Sequence, residues 1–94
     1  MTTVVKHIKK KTGAPNELYI GRGSKWGNPF KVGKDYTRAE VIHNYMEWLF
    51  ADEQLHLRQA IDAGELDDKV LLCFCHPKPC HGDILAQLAN ARTQ

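Results

Sequence analysis

KVLLCFCHPKPCHGDILAQLANA, residues 69–91, decides the fold class. Residues 70–75 are apolar at odd and even positions alike, the pattern of a central strand covered on both faces. The turn HPKP (76–79) follows, and Ile84, Leu85, Leu88 and Ala89 then recur at helical spacing, which predicts a helix beginning near Cys80 or His81. A buried strand that runs through a short loop into a helix is the unit of an α/β domain. The crevice at the strand's carboxyl end is where such domains hold ligands, because free N–H groups and the helix dipole point there.

Upstream, TRAE (37–40) has the spacing of a capping box, in which hydroxyl and carboxylate satisfy each other's free backbone N–H groups. It predicts a helix over 38–50 with Val41, Ile42, Tyr45, Trp48 and Leu49 inward, the two aromatics as core. Asp52 is expected to cap a second helix, with Leu57, Ala60 and Ile61 inward and Gly64 as its stop. At the other end, residues 3–8 read as a strand, 11–16 as a turn and 18–20 as a second strand, and these two are expected to pair as a hairpin. The order is ββααβα: an α/β domain, with α+β as the neighbouring class, built from about three strands and three helices. One unit is expected over 1–94, with 1–16 as N-terminal strand and turn, 21–36 as a long functional loop and 92–94 as a loose tail.

The 94 residues, 43% of them hydrophobic, suffice for one modest core. No apolar run approaches a bilayer span, and the N-terminal residues lack the apolar segment of a secretory signal, so a soluble cytoplasmic protein is expected. The formal charge of +2 is too near balance to imply nucleic-acid binding by itself. Its distribution says more: Lys6, Lys9, Lys10 and Lys11 precede the first acid, Glu17, while acids dominate from 52 to 68. That gives either a phosphate-attracting N-terminal side or a solvated lysine-rich strand end.

Cysteines at 73, 75 and 80 cannot all pair within the chain, which disfavours a disulfide scaffold. Cys73, Cys75, Cys80 and His81 supply the number and kind of ligands of a closed zinc site, but all lie within one short stretch instead of two separated knuckles. The competing readings are a reactive Cys80 with His81 beside it, and reduced thiols packed as small apolar side chains. Asp83, in the first helical turn, is either a cap or a general base.

The second polar block is GRGSKWGNPF (21–30), on a long irregular stretch. Its residue types suit an anionic ring compound such as a nucleotide. Arg22 can hold phosphate in a fork, Lys25 can neutralise it, Trp26 can stack on a base and Asn28 can read a base edge, with Ser24 and Arg38 completing the ligand set. The structural alternative makes Trp26 and Phe30 core plugs and the cations solvent-facing. Neither a Walker loop nor a dinucleotide fingerprint is present.

Together KWGNPF (25–30), the Thr37–Arg38 helix start, Tyr45 and Trp48, and CxC (73–75) with CHGD (80–83) resemble domain of unknown function 4326, a family of bacteria and their phages. The likeness runs from about Tyr19 to Asn90. It implies a polar set of Arg22, Lys25, Asn28, Arg38, Cys75, Cys80, His81 and Asp83, and it identifies a family but no reaction. Two positions depart from the family pattern. Phe74 stands where tryptophan is frequent between the cysteines, which weakens a stacking role there, and Asp68 stands where a glycine commonly precedes the strand lysine.

The expectation is a pocket between the two blocks for an anionic nucleotide-like ligand or a nucleic-acid end. Catalysis of transfer or hydrolysis is assigned to Asp83, His81 and Cys80. The alternatives are a non-catalytic phage accessory module that sequesters a nucleotide or docks on a host protein or nucleic acid, and a small zinc-stabilised structural domain.

Overall fold

The apolar run becomes β3 (Val70–Cys73), the middle strand of a three-stranded sheet. This computed structural model describes residues 2–34 and 36–92. The flanking strands are β1 (Val4–His7) and β2 (Glu17–Tyr19), in the order β1-β3-β2, and both run parallel to β3. Among the described residues the α-helices are α1 (Arg38–Leu49), α2 (Leu55–Asp62) and α3 (His81–Arg92), so the order is ββααβα and the class is α/β.

The expected β1–β2 hairpin does not form. β3 instead takes a parallel neighbour on each edge, with Leu71 in register with Val5 on one side and Leu18 on the other. The nine residues between β1 and β2 step across the width of β3, a span of about 10 Å at the usual strand spacing. That connection is tied down at its far end: the Glu17 carboxylate accepts the backbone N–H groups of Thr12 and Gly13. Those bonds, the Thr12 N–H first, hold the Glu17 carboxyl below its ordinary pKa.

α1 starts as its sequence dictates. Thr37 Oγ1 accepts from Glu40 N–H at 3.2 Å, and the Glu40 carboxylate accepts from Thr37 N–H at 2.9 Å. Its carboxyl end is satisfied from outside, since Arg58 Nη1 donates to the carbonyls of Leu49 and Ala51. Asp52 does not cap the next helix. It is the first residue of a 3-10 turn, Asp52–Gln54, and α2 begins after it without a side-chain cap. Gly64 does end α2, at φ +92°, with its N–H on Ile61 O and that of Glu65 on Ala60 O, the paired bonds of a Schellman stop.

Strand register sorts the sheet into two faces. Val5, Leu71 and Leu18 are partners on one, and Lys6, Leu72 and Tyr19 on the other. The first face meets a single core containing Tyr45 and Leu49 of α1, Leu57 and Ile61 of α2, and Leu85 and Ala89 of α3. Each fully buried leucine of that core contributes roughly 1.5–3 kcal/mol. Leu72 is 3% exposed yet lies outside this cluster. The helices thus gather on one side, yet Leu71, Leu72 and Cys73 are buried on both faces of β3, as the apolar run implies; only beyond the strand does the second face open, at Phe74, which is 65% exposed.

α3 approaches the sheet closely at Gly82, where a Cβ would lie 2.7 Å from Ile20 Cδ1. The start of β1 is fastened to the end of α3, Thr3 N–H donating to Asn90 Oδ1 and Asn90 Nδ2 to Thr3 O. Of the expected tail, Arg92 is the last residue of α3 and pairs with Asp67, while Thr93 and Gln94 lie outside the described residues, as do Met1 and, within the long loop, Asp35. Among the described residues no helix is long and apolar enough to cross a membrane.

Candidate functional site

Because β1, β2 and β3 are parallel, their carboxyl ends share one edge, and the loops leaving them meet there. The segment that follows Tyr19 folds back so that Arg22, Asn28, Phe30 and Lys31 face the loop after β3 across a cleft of about 430 Å³. That volume is within the range of about 300–1,000 Å³ for small-molecule sites. The two sequence blocks therefore meet in space. Arg38, at the start of α1, closes a third side and donates from Nη1 to Pro79 O at 3.1 Å.

The floor is made by the strand end and the helix start. Cys73 Sγ and Cys80 Sγ are 3.3 Å apart, and His76 N–H donates to Cys73 Sγ at 3.4 Å. The Cys80 thiol, followed by that backbone N–H among the stabilising groups, lowers the Cys73 pKa from 9.0 to about 6, while the same contact and burial push the Cys80 thiol up. Of the two sulfurs, Cys73 is therefore the one with the greater thiolate character. His81 also lines the cleft. Its Nε2 is 2.7 Å from Ile20 O, and since a carbonyl only accepts, Nε2 carries the proton and Nδ1 is the acceptor nitrogen. Burial lowers the His81 pKa and keeps the ring neutral.

Other residues singled out from the sequence stand elsewhere. Asp83 Oδ2 accepts from Cys80 N–H at 3.0 Å, the cap geometry, and its exposed side chain does not line the cleft. Trp26 is 1% exposed in the core, and its carbonyl accepts the Tyr45 hydroxyl at 2.8 Å, so it offers no ring face to a ligand. Lys25 Nζ pairs with Glu65 at 2.5 Å and does not line the cleft. Asn28 does line it, but its Oδ1 is engaged by Phe30 N–H at 2.9 Å. Ser24 Oγ donates to Gly21 O, and the residue borders a shallower hollow of about 250 Å³ that shares Arg22, Asn28 and Lys31 with the main cleft.

Cys75 lines the cleft beside the thiol pair. Among the described residues no group of three His, Cys, Asp or Glu side chains is disposed to hold a metal ion. The reason is visible locally: the Cys73 and Cys80 sulfurs converge, but His81 Nε2 is on Ile20 O and the Asp83 carboxylate is on Cys80 N–H.

Sequence reasoning missed Lys31, Phe30, Val32, Tyr19 and Phe74 as cleft residues. For Phe74 a signal existed: it sits between two cysteines in a strand-end CFC, so strict alternation sends it away from the core that takes Cys73. For Lys31 and Val32, on a loop without period, no signal existed.

The family model described as Domain of unknown function (DUF4326) matches residues 4–91, and the chain belongs to that family. It is also similar to the "Uncharacterized 12.4 kDa protein in nrdA-td intergenic region" of Enterobacteria phage T4. The two are 35% identical over 82 residues, 79% of this chain and 68% of the phage protein. No solved structure matches.

Proposed function

We propose that the cleft binds an anionic nucleotide-like ligand, and that the thiol and imidazole groups on its floor act on that ligand by transfer or hydrolysis. The observation that carries the reading is its charge: of the described residues, Arg22, Lys31 and Arg38 line the cleft and no carboxylate does. Arg22 makes no hydrogen bond or ion pair with the described residues, which leaves its guanidinium fork for a phosphate. The walls are apolar, with Phe30, Val32, Val41 and Ile42 opposite Phe74, as suits a planar ring. Cys73 supplies a nucleophile and the neutral His81 a proton acceptor. The clustered free thiols fit a reducing cytoplasm.

The test is a thermal-shift screen of the purified chain against nucleosides and their mono-, di- and triphosphates. A ligand at a hundred times its dissociation constant adds about 2.7 kcal/mol, a rise of several degrees in a domain of this size. Arg22→Ala should abolish the shift. A screen in which no phosphate-bearing ring raises the melting temperature sinks the reading. A shift without any product, after prolonged incubation, assigns the cleft to a sequestering module instead. The contact between Cys73 and Cys80 keeps a zinc-stabilised domain as the second reading. It requires about one zinc per chain in the same sample and a lower melting temperature on chelation.

A further inference from the structure

Among the described residues no helix covers the face of the sheet turned away from the core, and at its carboxyl end, beyond the buried Leu72, it carries an unusual set of side chains. Tyr19 is 36% and Phe74 65% exposed, their ring centroids are 6.2 Å apart, and the His7 ring stands 6.2 Å from Phe74 on the other side. Lys6 is the register partner of Leu72 in the middle of this face, and Lys9, Lys10 and Lys11 follow on the turn beyond β1, all exposed. The acid on the face, Glu17, has its carboxylate engaged by the N–H groups of Thr12 and Gly13.

Exposed rings on an open sheet with cations and no free acid between them suit one kind of partner. Bases stack on such rings whatever their identity, and the phosphates between them are neutralised by lysine. Tyr19 and Phe74 also line the cleft, so the platform and the cleft form one continuous surface. We infer that the open face of the sheet binds single-stranded nucleic acid, its bases on Tyr19 and Phe74 and its terminal nucleotide in the cleft. The terminal position rests on the nucleotide reading of the cleft; the platform rests on the aromatic row and Lys6.

Fluorescence anisotropy with labelled dodecathymidylate and a labelled thymidine dinucleotide separates the two. The dodecamer should bind more tightly, with affinity falling as salt rises. Lys6→Glu, remote from the cleft, should weaken the dodecamer on the order of tenfold and leave the dinucleotide unchanged. Phe74→Ala should weaken the dodecamer on the order of tenfold, the size expected for loss of one stacked base, and Phe74→Trp should retain it. Lys6→Gln should reduce the slope of log affinity against log salt by about 0.7, the value for one phosphate of a single strand.

If the dodecamer binds no better than the dinucleotide, or ignores Lys6→Glu and Phe74→Ala, the platform is overturned and the cleft reading stands. If neither probe binds, both fall. A dimer lost on Phe74→Ala, in a protein that does not bind the dodecamer, assigns the face to a second copy of the chain and overturns the inference.

Discussion

The two walls of the cleft are held by different means. Residues 73–83 inherit their positions from regular structure: β3 fixes Cys73, α3 fixes His81, and the Asp83 carboxylate on Cys80 N–H ties the residue before the helix to its first turn. Residues 21–34 have no strand or helix, and they are held by a side chain sunk into the core, Trp26, with the Tyr45 hydroxyl on its carbonyl. A wall built on regular elements shows its chemistry in residue spacing. A wall hung from an aromatic plug shows only which residue types are present, because which of them turn outward depends on where the plug goes.

The strongest way to break this contrast is Trp26→Ala. Removal of a buried aromatic should cost about 3–5 kcal/mol, read as a lower urea midpoint. Unchanged stability would mean that the loop is held by something other than its plug. The other wall is probed through the thiol pair. The ultraviolet absorbance of the thiolate, read as the difference between the unmodified chain and Cys73→Ala, should rise with a midpoint near the pKa of about 6 instead of the ordinary 9.0. The sign follows from the lowered value: thiolate is present above it and is lost as pH falls through it. Cys80→Ala removes the donated S–H and should move the midpoint upward; a midpoint already at 9.0 in the unmodified chain would remove the thiolate from the floor.

Tyr45→Phe sharpens the comparison more gently. It deletes the hydrogen bond to Trp26 O, leaves a buried carbonyl without that donor, and should cost about 1–2 kcal/mol in chemical unfolding. A neutral result would show that the plug alone holds the loop. The smallest effect is expected at Asp68, whose φ of +57° lies in the left-handed region. Asp68→Gly should stabilise the domain by up to about 1 kcal/mol, since glycine adopts that conformation without the Cβ penalty. Lower stability would show that the aspartate side chain contributes more than its backbone strain removes.

Much of the architecture was legible because periodicity and caps are local properties. TRAE fixed the start of α1, Gly64 the end of α2, and the apolar run the middle strand. The β1–β2 pairing was misread because pairing is a long-range choice: each short strand could satisfy a local hairpin, and β3, far along the chain, takes both as neighbours instead. The departure at Asp68 has a local meaning after all, since a glycine pattern there matches its positive φ. In the site, Cys80 and His81 stand where spacing put them, at the start of a helix. Lys25 and Trp26 do not face the cleft, because the buried position of Trp26 and the pairing of Lys25 with Glu65 turn them away. Phe74 was undervalued because a phenylalanine at a position where the family often has tryptophan was read as weakening a stacking role, whereas its ring is 65% exposed.

One consequence follows from the strand order β1-β3-β2 for the way the chain is made. Every ladder hydrogen bond of the sheet involves β3, which begins at residue 70, so β1 and β2 have no partner when they leave the ribosome. Helix α1 can form early from its own capping box, but the sheet must wait until residue 73 has emerged, and α3, which seals it, comes later still. Strands, floor and helix therefore dock only after that point. Chains that stall before residue 70 expose two unpaired strands and are the natural clients of chaperones and proteases.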